Sequence, residues 1–249
     1  MSVDVERRGP VTVVTINRPE SVNSLDGATM TGIGYAFEEA ANDPEVRVVV
    51  LTAAGEKIFC AGMDLKAFLT PGAMDVQGPG ISIFIRQFYP KPIIAAVNGS
   101  AVGGGFELAM FADLIVAREG AKFGLPEVAR GLFAAGGGTR LPTRVPLAFA
   151  LELGLTGKPT TAERLYEVGM INRVVPASEV LKTALELAES IADNGPLAVQ
   201  ATKALMAGEI PAADWDAVNA AVGTVFGSED GQEGPRAFAE KRKPNWVGR

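Results

Sequence analysis

Short runs of β-branched and aliphatic residues recur through the first half of the chain: VTVVTIN at 11–17, VRVVVLTA at 46–53, PIIAAVNG at 92–99 and DLIVA at 113–117. Each stops at a turn former, and several are apolar without alternation, the pattern of strands covered on both faces of a sheet. Between the first two runs Met30, Ile33, Phe37, Ala40 and Ala41 recur at helical spacing, with Asp26 placed to cap the start and Asn42-Asp43-Pro44 to stop the helix. Strands alternating with helices predict an α/β layered core. The strand starts are unevenly spaced, so no fixed-period repeat is supported.

From Pro146 onward the periodicity turns helical. Val180, Leu181, Ala184, Leu185, Ala188, Ile191 and Ala192 form one apolar stripe, and Pro196 suits the first turn of a further helix. One short apolar run, INRVV at 171–175, interrupts this region. The segment 70–80, TPGAMDVQGPG, has three Gly and two Pro without periodicity and reads as a mobile loop.

Composition narrows the chemistry. A chain of 249 residues can bury a core without staples, and its single cysteine excludes an intrachain disulfide. The formal charge of −6 and the lack of a long Lys/Arg stripe argue against nucleic acid as a partner. No histidine is present, which removes Ser-His-Asp and Cys-His triads, HExxH zinc sites and imidazole proton shuttles. Carboxylates, backbone amides, lysines and hydroxyls remain. Asp4 and Glu6 stand where a signal peptide would be basic and then apolar, and the longest apolar candidate, 101–117, is broken by three glycines, Glu107 and Asp113. A cytoplasmic protein without a membrane partner is expected.

Three segments carry candidate chemistry. In NGSAVGGGFELAM a strand ends at Asn98-Gly99, and Gly103, Gly104 and Gly105 open a helix-favouring run. Such N–H groups suit a phosphate or an oxyanion developing on a carbonyl, although neither a Walker A nor a GxGxxG spacing is present; the glycines equally allow close helix packing. Glu107, among Phe106, Leu108, Ala109 and Met110, either faces a closed pocket with a raised pKa or stabilises a first helical turn from the surface. Glu127 follows Pro126 in FGLPEVARGL, and two carboxylates near one oxyanion pocket can divide acid and base roles. In KIFCAGMDLKAF a turn offers the Met63 N–H, while Cys60 reads as a small buried hydrophobe.

Together, NRPESVNSLD at 17–26, FCAGMDLK at 59–66, NGSAVGGGFELA at 98–109 and FGLPEVARGLFAAGGGTRLP at 123–142 resemble the enoyl-CoA hydratase/isomerase (crotonase) superfamily, as do the late segments INRVVP and AFAEKRKPNWVG. The resemblance implies an α/β spiral of ββα turns over 1–195 holding a coenzyme A thioester site, and a helical oligomerisation region over 196–249. It implies an oxyanion hole from the N–H groups of Met63 and Gly104. Glu107 would then help activate water for attack at Cβ, and Glu127 would position it and protonate Cα. Contacts to the acyl-CoA would come from Ser21, Val22, Ser24, Ala61, Asp64, Leu65, Gly103, Pro126 and Ala135. Lys241, Arg242 and Lys243 would either reach CoA phosphates, in some members across a subunit contact, or form a solvated helix end.

The family precedent further implies a homotrimer or homohexamer and no cofactor, coenzyme A being part of the substrate. Both glutamates being present points to a hydratase adding water syn to a trans-2-enoyl-CoA. The alternatives are an isomerase, a dehydratase of a specialised acyl-CoA, or a non-catalytic acyl-CoA binding protein. A two-carboxylate glycosidase is disfavoured by only two Trp and three Tyr for sugar platforms. One departure stands out: Ala134-Ala135 occupy a position where hydratases more often carry Pro-Gly, and a Cβ there would intrude if the backbone needs positive φ.

Overall fold

A computed structural model describes residues 2–209, 211 and 213–249. Among the described residues, ten strands lie at β1 (Val3–Arg8), β2 (Val11–Ile16), β3 (Val48–Ala53), β4 (Ile58–Cys60), β5 (Ile93–Val97), β6 (Ser100–Val102), β7 (Leu114–Arg118), β8 (Lys122–Gly124), β9 (Thr160–Thr161) and β10 (Arg173–Val175). The helices are α1 (Gly27–Asn42), the single turns α2 (Leu65–Phe68) and α3 (Ser82–Ile85), α4 (Gly104–Phe111), α5 (Leu147–Thr156), α6 (Ala162–Glu167), α7 (Val180–Ala192), α8 (Pro196–Met206), α9 (Trp215–Phe226) and α10 (Glu229–Ala239).

The strands form a six-stranded sheet in the order β1-β2-β3-β5-β7-β10 and a four-stranded sheet in the order β4-β6-β8-β9. Each chain turn places one strand in the large sheet and the next in the small one: β3 then β4, β5 then β6, β7 then β8. Successive turns pair in parallel in both sheets, so the chain advances as a spiral of ββα turns.

The unbroken apolar strands have a direct cause. Val49 and Leu51 of β3 point into the core under α1, whereas Val48 and Val50 meet Val180, Ala184, Ala188 and Ala192 of α7 on the opposite face. With both faces covered, every β3 side chain is buried. The α1 stripe buries Ile33, Phe37 and Ala40, and Asp26 caps the helix by accepting the Thr29 N–H at 2.8 Å.

Several strands were not signalled by the hydrophobic pattern, β1, β6 and the two-residue β9 among them. β1 is a charged edge strand with a single buried residue, and β6 is a short Ser-Ala-Val segment between glycines. Segment 70–80 contains no helix or strand, as its composition predicts. It is nevertheless tied to α1, where Gly27 donates to the Ala73 carbonyl at 2.9 Å and Gln77 to the Thr31 hydroxyl at 2.9 Å. From Pro196 to Ala239 the described elements are the helices α8, α9 and α10.

Candidate active site

Asn23 ties the loop after β2 to the β3–β4 connection and to the first residue of β4, which sets it beside the loop after β4. The asparagine is 1% exposed and left-handed at φ 53. Its side-chain oxygen accepts the Arg18 N–H at 2.9 Å, and its amide donates to the carbonyls of Ala54 and Ile58 at 2.9 and 3.0 Å. Leu25 and Asp64 then zip the two loops, with Leu25 donating to Gly62 and Asp64 donating to Leu25. Arg18 donates to the Ser24 carbonyl at 2.7 Å and pairs with Asp26 and Asp64 at 3.1 and 3.2 Å.

This arrangement commits several side chains expected at the CoA site. The Asp64 carboxylate caps α2, and the Ala67 N–H, the Ser24 hydroxyl and Arg18 hold its pKa below the ordinary value. Ser24 and Asp64 therefore hold each other. Ser21 and Ala61 are half-buried nearby, and Ala61 donates to the Val22 carbonyl at 3.2 Å. Val22 and Leu65 are 48% and 47% exposed, leaving two apolar side chains on the rim.

Next to this pair of loops, the Gly103-Gly104-Gly105 turn brings the start of α4 against the Gly62-Met63 turn. A Cβ on Gly62, at φ 87, would lie 2.9 Å from the Gly104 nitrogen, and one on Gly105 would lie 2.1 Å from the Cys60 carbonyl oxygen. Glycine at 62 and 105 is thus a close-packing requirement. Gly104 differs: the site of its absent Cβ is 3.6 Å from the Met63 nitrogen, without a clash. Among the described residues, the N–H groups of Met63 and Gly104 donate to no backbone or side-chain acceptor. Two adjacent unpaired donors, one at a helix start, match an oxyanion site.

The two carboxylates meet beside them. Glu107, in the first turn of α4, is only 6% exposed, which excludes the surface reading. Its Oε1 accepts the Gly138 N–H at 2.8 Å, and the Gly136 N–H also reaches the carboxylate. Burial raises its pKa and the charge of Glu127 adds to the rise, partly offset by those two N–H groups. Glu127 follows Pro126 in a 3-10 turn, Pro126–Arg130, directly after β8.

Gly103 donates to the Gly124 carbonyl at 2.9 Å, which draws that turn against the start of α4. Glu127 Oε1 lies 3.0 Å from where a Cβ on Gly103 would sit, while its Oε2 is buried with no hydrogen-bond partner among the described residues. A buried acceptor without a donor is costly unless a ligand or water satisfies it.

The backbone at Ala134 and Ala135 does not have positive φ, so the Cβ groups there cause no strain. Ala135 is exposed beside the glycine run that cradles Glu107. At the C-terminus, Arg242 is bound to Glu233 at 2.5 and 2.9 Å and to Glu240 at 2.6 Å, and this partnership lowers the Glu233 pKa to about 2. Arg242 is occupied within its own chain, and Lys241 and Lys243 are exposed. The sequence reading assigned no role to Asn23, Arg18, Gly136 or Gly138. An Asn just before the Ser-Leu-Asp cap and a triple glycine beginning nine residues after Glu127 were the available signals.

A spiral of ββα turns that sets two free main-chain donors beside two carboxylates defines the crotonase fold class. The sequence model of the family described as "Enoyl-CoA hydratase/isomerase" matches residues 6–249. A carnitinyl-CoA dehydratase from Salmonella heidelberg (strain SL476) is 42% identical, with 100% of this chain and 99% of the relative covered. The crystal structure of an enoyl-CoA hydratase from Mycobacterium tuberculosis H37Rv superposes with a TM-score of 0.92 at 44% identity, covering 100% of this chain and 99% of that one. That of a carnitinyl-CoA hydratase from Mycobacterium avium gives 0.80 at 46% identity over the same shares. The chain belongs to the enoyl-CoA hydratase/isomerase family.

Proposed function

We propose that this protein is a hydro-lyase that adds water reversibly and syn across the double bond of a trans-2-enoyl-CoA. The observation carrying this reading is the meeting of Glu107 and Glu127, one Glu127 oxygen unpartnered, beside the unpaired N–H groups of Met63 and Gly104. The thioester oxygen accepts from Met63 and Gly104, which lowers the energy of the enolate formed on attack. One such donor is typically worth about a hundred-fold or more in rate.

Glu107 accepts a hydrogen bond from the water and strengthens it as a nucleophile toward Cβ. Glu127 positions the water, takes its proton as the C–O bond forms and delivers that proton to Cα. Hydroxyl and hydrogen thus add across the double bond, and both carboxylates return to their starting charge. The route draws on this chain and the substrate alone. Backbone along 21–25 and 61–65, with Gly103, Pro126 and Ala135, would hold the thioester, and the exposed Lys241 and Lys243 would supply cations for CoA phosphates.

The test is loss of the conjugated enoyl absorbance of crotonyl-CoA. Rapid loss that fails in Glu107→Gln and Glu127→Gln supports hydration; no loss despite thioester binding overturns it for short unbranched chains. A second reading, dehydration of a specialised 3-hydroxyacyl-CoA, is favoured by the relatives named carnitinyl-CoA dehydratase. It runs the same steps backward. A higher kcat/KM on carnitinyl-CoA than on 3-hydroxybutyryl-CoA would select it.

The protein is further proposed to act as a homotrimer or homohexamer. Leu147, Leu151 and Leu155 recur every fourth residue on α5 and are 60%, 46% and 72% exposed. A leucine stripe left uncovered on a helix that buries only Ala150 and Leu153 fits a subunit contact.

A further inference from the structure

At the opposite end of α4 from the oxyanion donors lies a cavity of about 1180 Å³, between the 84–93 segment, the end of α4, residues 137–144 and α8. The eight residues of α4 separate the two sites by about 12 Å. They adjoin through the glycine run: Gly137 lines the cavity while Gly136 and Gly138 hold Glu107 on the other side.

The lining is cationic in a chain of net charge −6. Arg86, Arg140, Arg144 and Lys203 face Asp113 and Glu209. Asp113 is already engaged, accepting the Ile93 N–H and the Lys203 ammonium, each at 2.7 Å. Arg144 caps the carbonyls of Met110 and Ala112 through one of its nitrogens at 2.6 and 2.9 Å. Arg140 is close enough for its charge to disfavour that of Arg144. The guanidinium groups of Arg86 and Arg140 are exposed and donate to no acceptor among the described residues. Arg140 lies over the Phe111 ring at 5.2 Å, and Phe88 and Tyr89 stand behind Lys203.

We propose that this cavity is a second ligand site that binds a nucleoside phosphate, with Arg86, Arg140 and Arg144 taking the phosphates and the exposed face of Arg140, backed by Phe111, stacking on the base. Unsatisfied guanidinium groups gathered in one concavity recognise phosphate oxygens in a bidentate manner, and their planar faces stack on planar rings. The cavity, at about 1180 Å³, is somewhat larger than most small-molecule sites and has room for a ligand of this size.

The test is calorimetric binding of ADP and of inorganic pyrophosphate to the protein without CoA, because CoA carries an adenosine diphosphate moiety that would enter the same cavity. One ADP per chain beyond any bound by the Arg86→Ala/Arg140→Ala double variant is expected, binding more tightly than pyrophosphate. Arg86→Ala and Arg140→Ala should each weaken ADP by about tenfold, the loss of one charge-assisted contact, while the KM for crotonyl-CoA is unchanged. ADP should also slow amide exchange in residues 140–144. No ADP binding by the CoA-free protein, as when a second copy covers the cavity, overturns the proposal. So does binding unchanged in the Arg86→Ala/Arg140→Ala double variant, and pyrophosphate binding as tightly as ADP overturns the base-stacking part.

Discussion

Gly138 donates its backbone N–H to Glu107 Oε1 at 2.8 Å, across 31 residues of sequence. The bond reaches from the start of one 3-10 segment, Gly138–Thr143, to the first turn of α4. With the N–H of Gly136 it fixes the position of a carboxylate that burial would otherwise drive toward its neutral form.

A side chain at Gly136 would press on this carboxylate. Its Cβ would fall 2.5 Å from Glu107 Oε2, so the flexible carboxylate and not the backbone must yield. Gly136→Ala is expected to fold with nearly unchanged Tm and to lose about a hundred-fold in kcat on crotonyl-CoA, since displacements of this size misalign the attacking water.

Glu107→Gln and Glu127→Gln should each lower kcat by about a hundred-fold or more, and the double variant should be little worse than the weaker single one, because the two groups serve one water. Steady-state hydration with product analysis checks this. Full turnover in Glu107→Gln with a dead Glu127→Gln would mark a one-carboxylate reaction such as isomerisation.

The raised pKa of Glu107 has a sign that can be followed with pH. Above the ordinary carboxylate pKa of 4.5 the unfolded chain has released this proton while the native chain still holds it. The native state binds more protons in that window, so this group's contribution to stability falls as pH rises from 4.5 through the raised native value. Thermal unfolding of Glu107→Gln and wild type, compared at pH 4.5 and 7.5, should show the variant gaining relative to wild type at the higher pH. The acid limb of kcat/KM should likewise lie above 4.5.

Asn23→Ala removes an acceptor for Arg18 and the donors to Ala54 and Ile58, and leaves a left-handed residue without its compensating bonds. A loss of about 2–4 kcal/mol in urea denaturation is expected, together with a raised KM for the thioester because the 21–25 and 61–65 loops lose their common anchor.

On α5, Leu151→Glu places a charge in the exposed leucine stripe without touching the buried Ala150 and Leu153. Sedimentation should show smaller species than wild type, with helical content retained.

The α/β layering, the α1 cap at Asp26 and the α7 stripe were all legible from the sequence, because strand burial and helix amphipathicity are local consequences of residue order. The absence of histidine confined the chemistry to carboxylates and main-chain donors before any contact was known. What residue order could not determine was whether a given glycine packs or binds. Gly105 is glycine because Cys60 leaves no room for a Cβ, whereas Gly104, one residue earlier, has that room and presents an unpaired N–H. Only the tertiary structure separated those two cases. It likewise decided that Glu107 is buried, that Glu127 lies over Gly103, and that Ala134-Ala135 need no positive φ, since each depends on which distant turn the ββα spiral lays alongside. Local pattern fixes which faces are buried; the register of successive turns fixes which atoms meet.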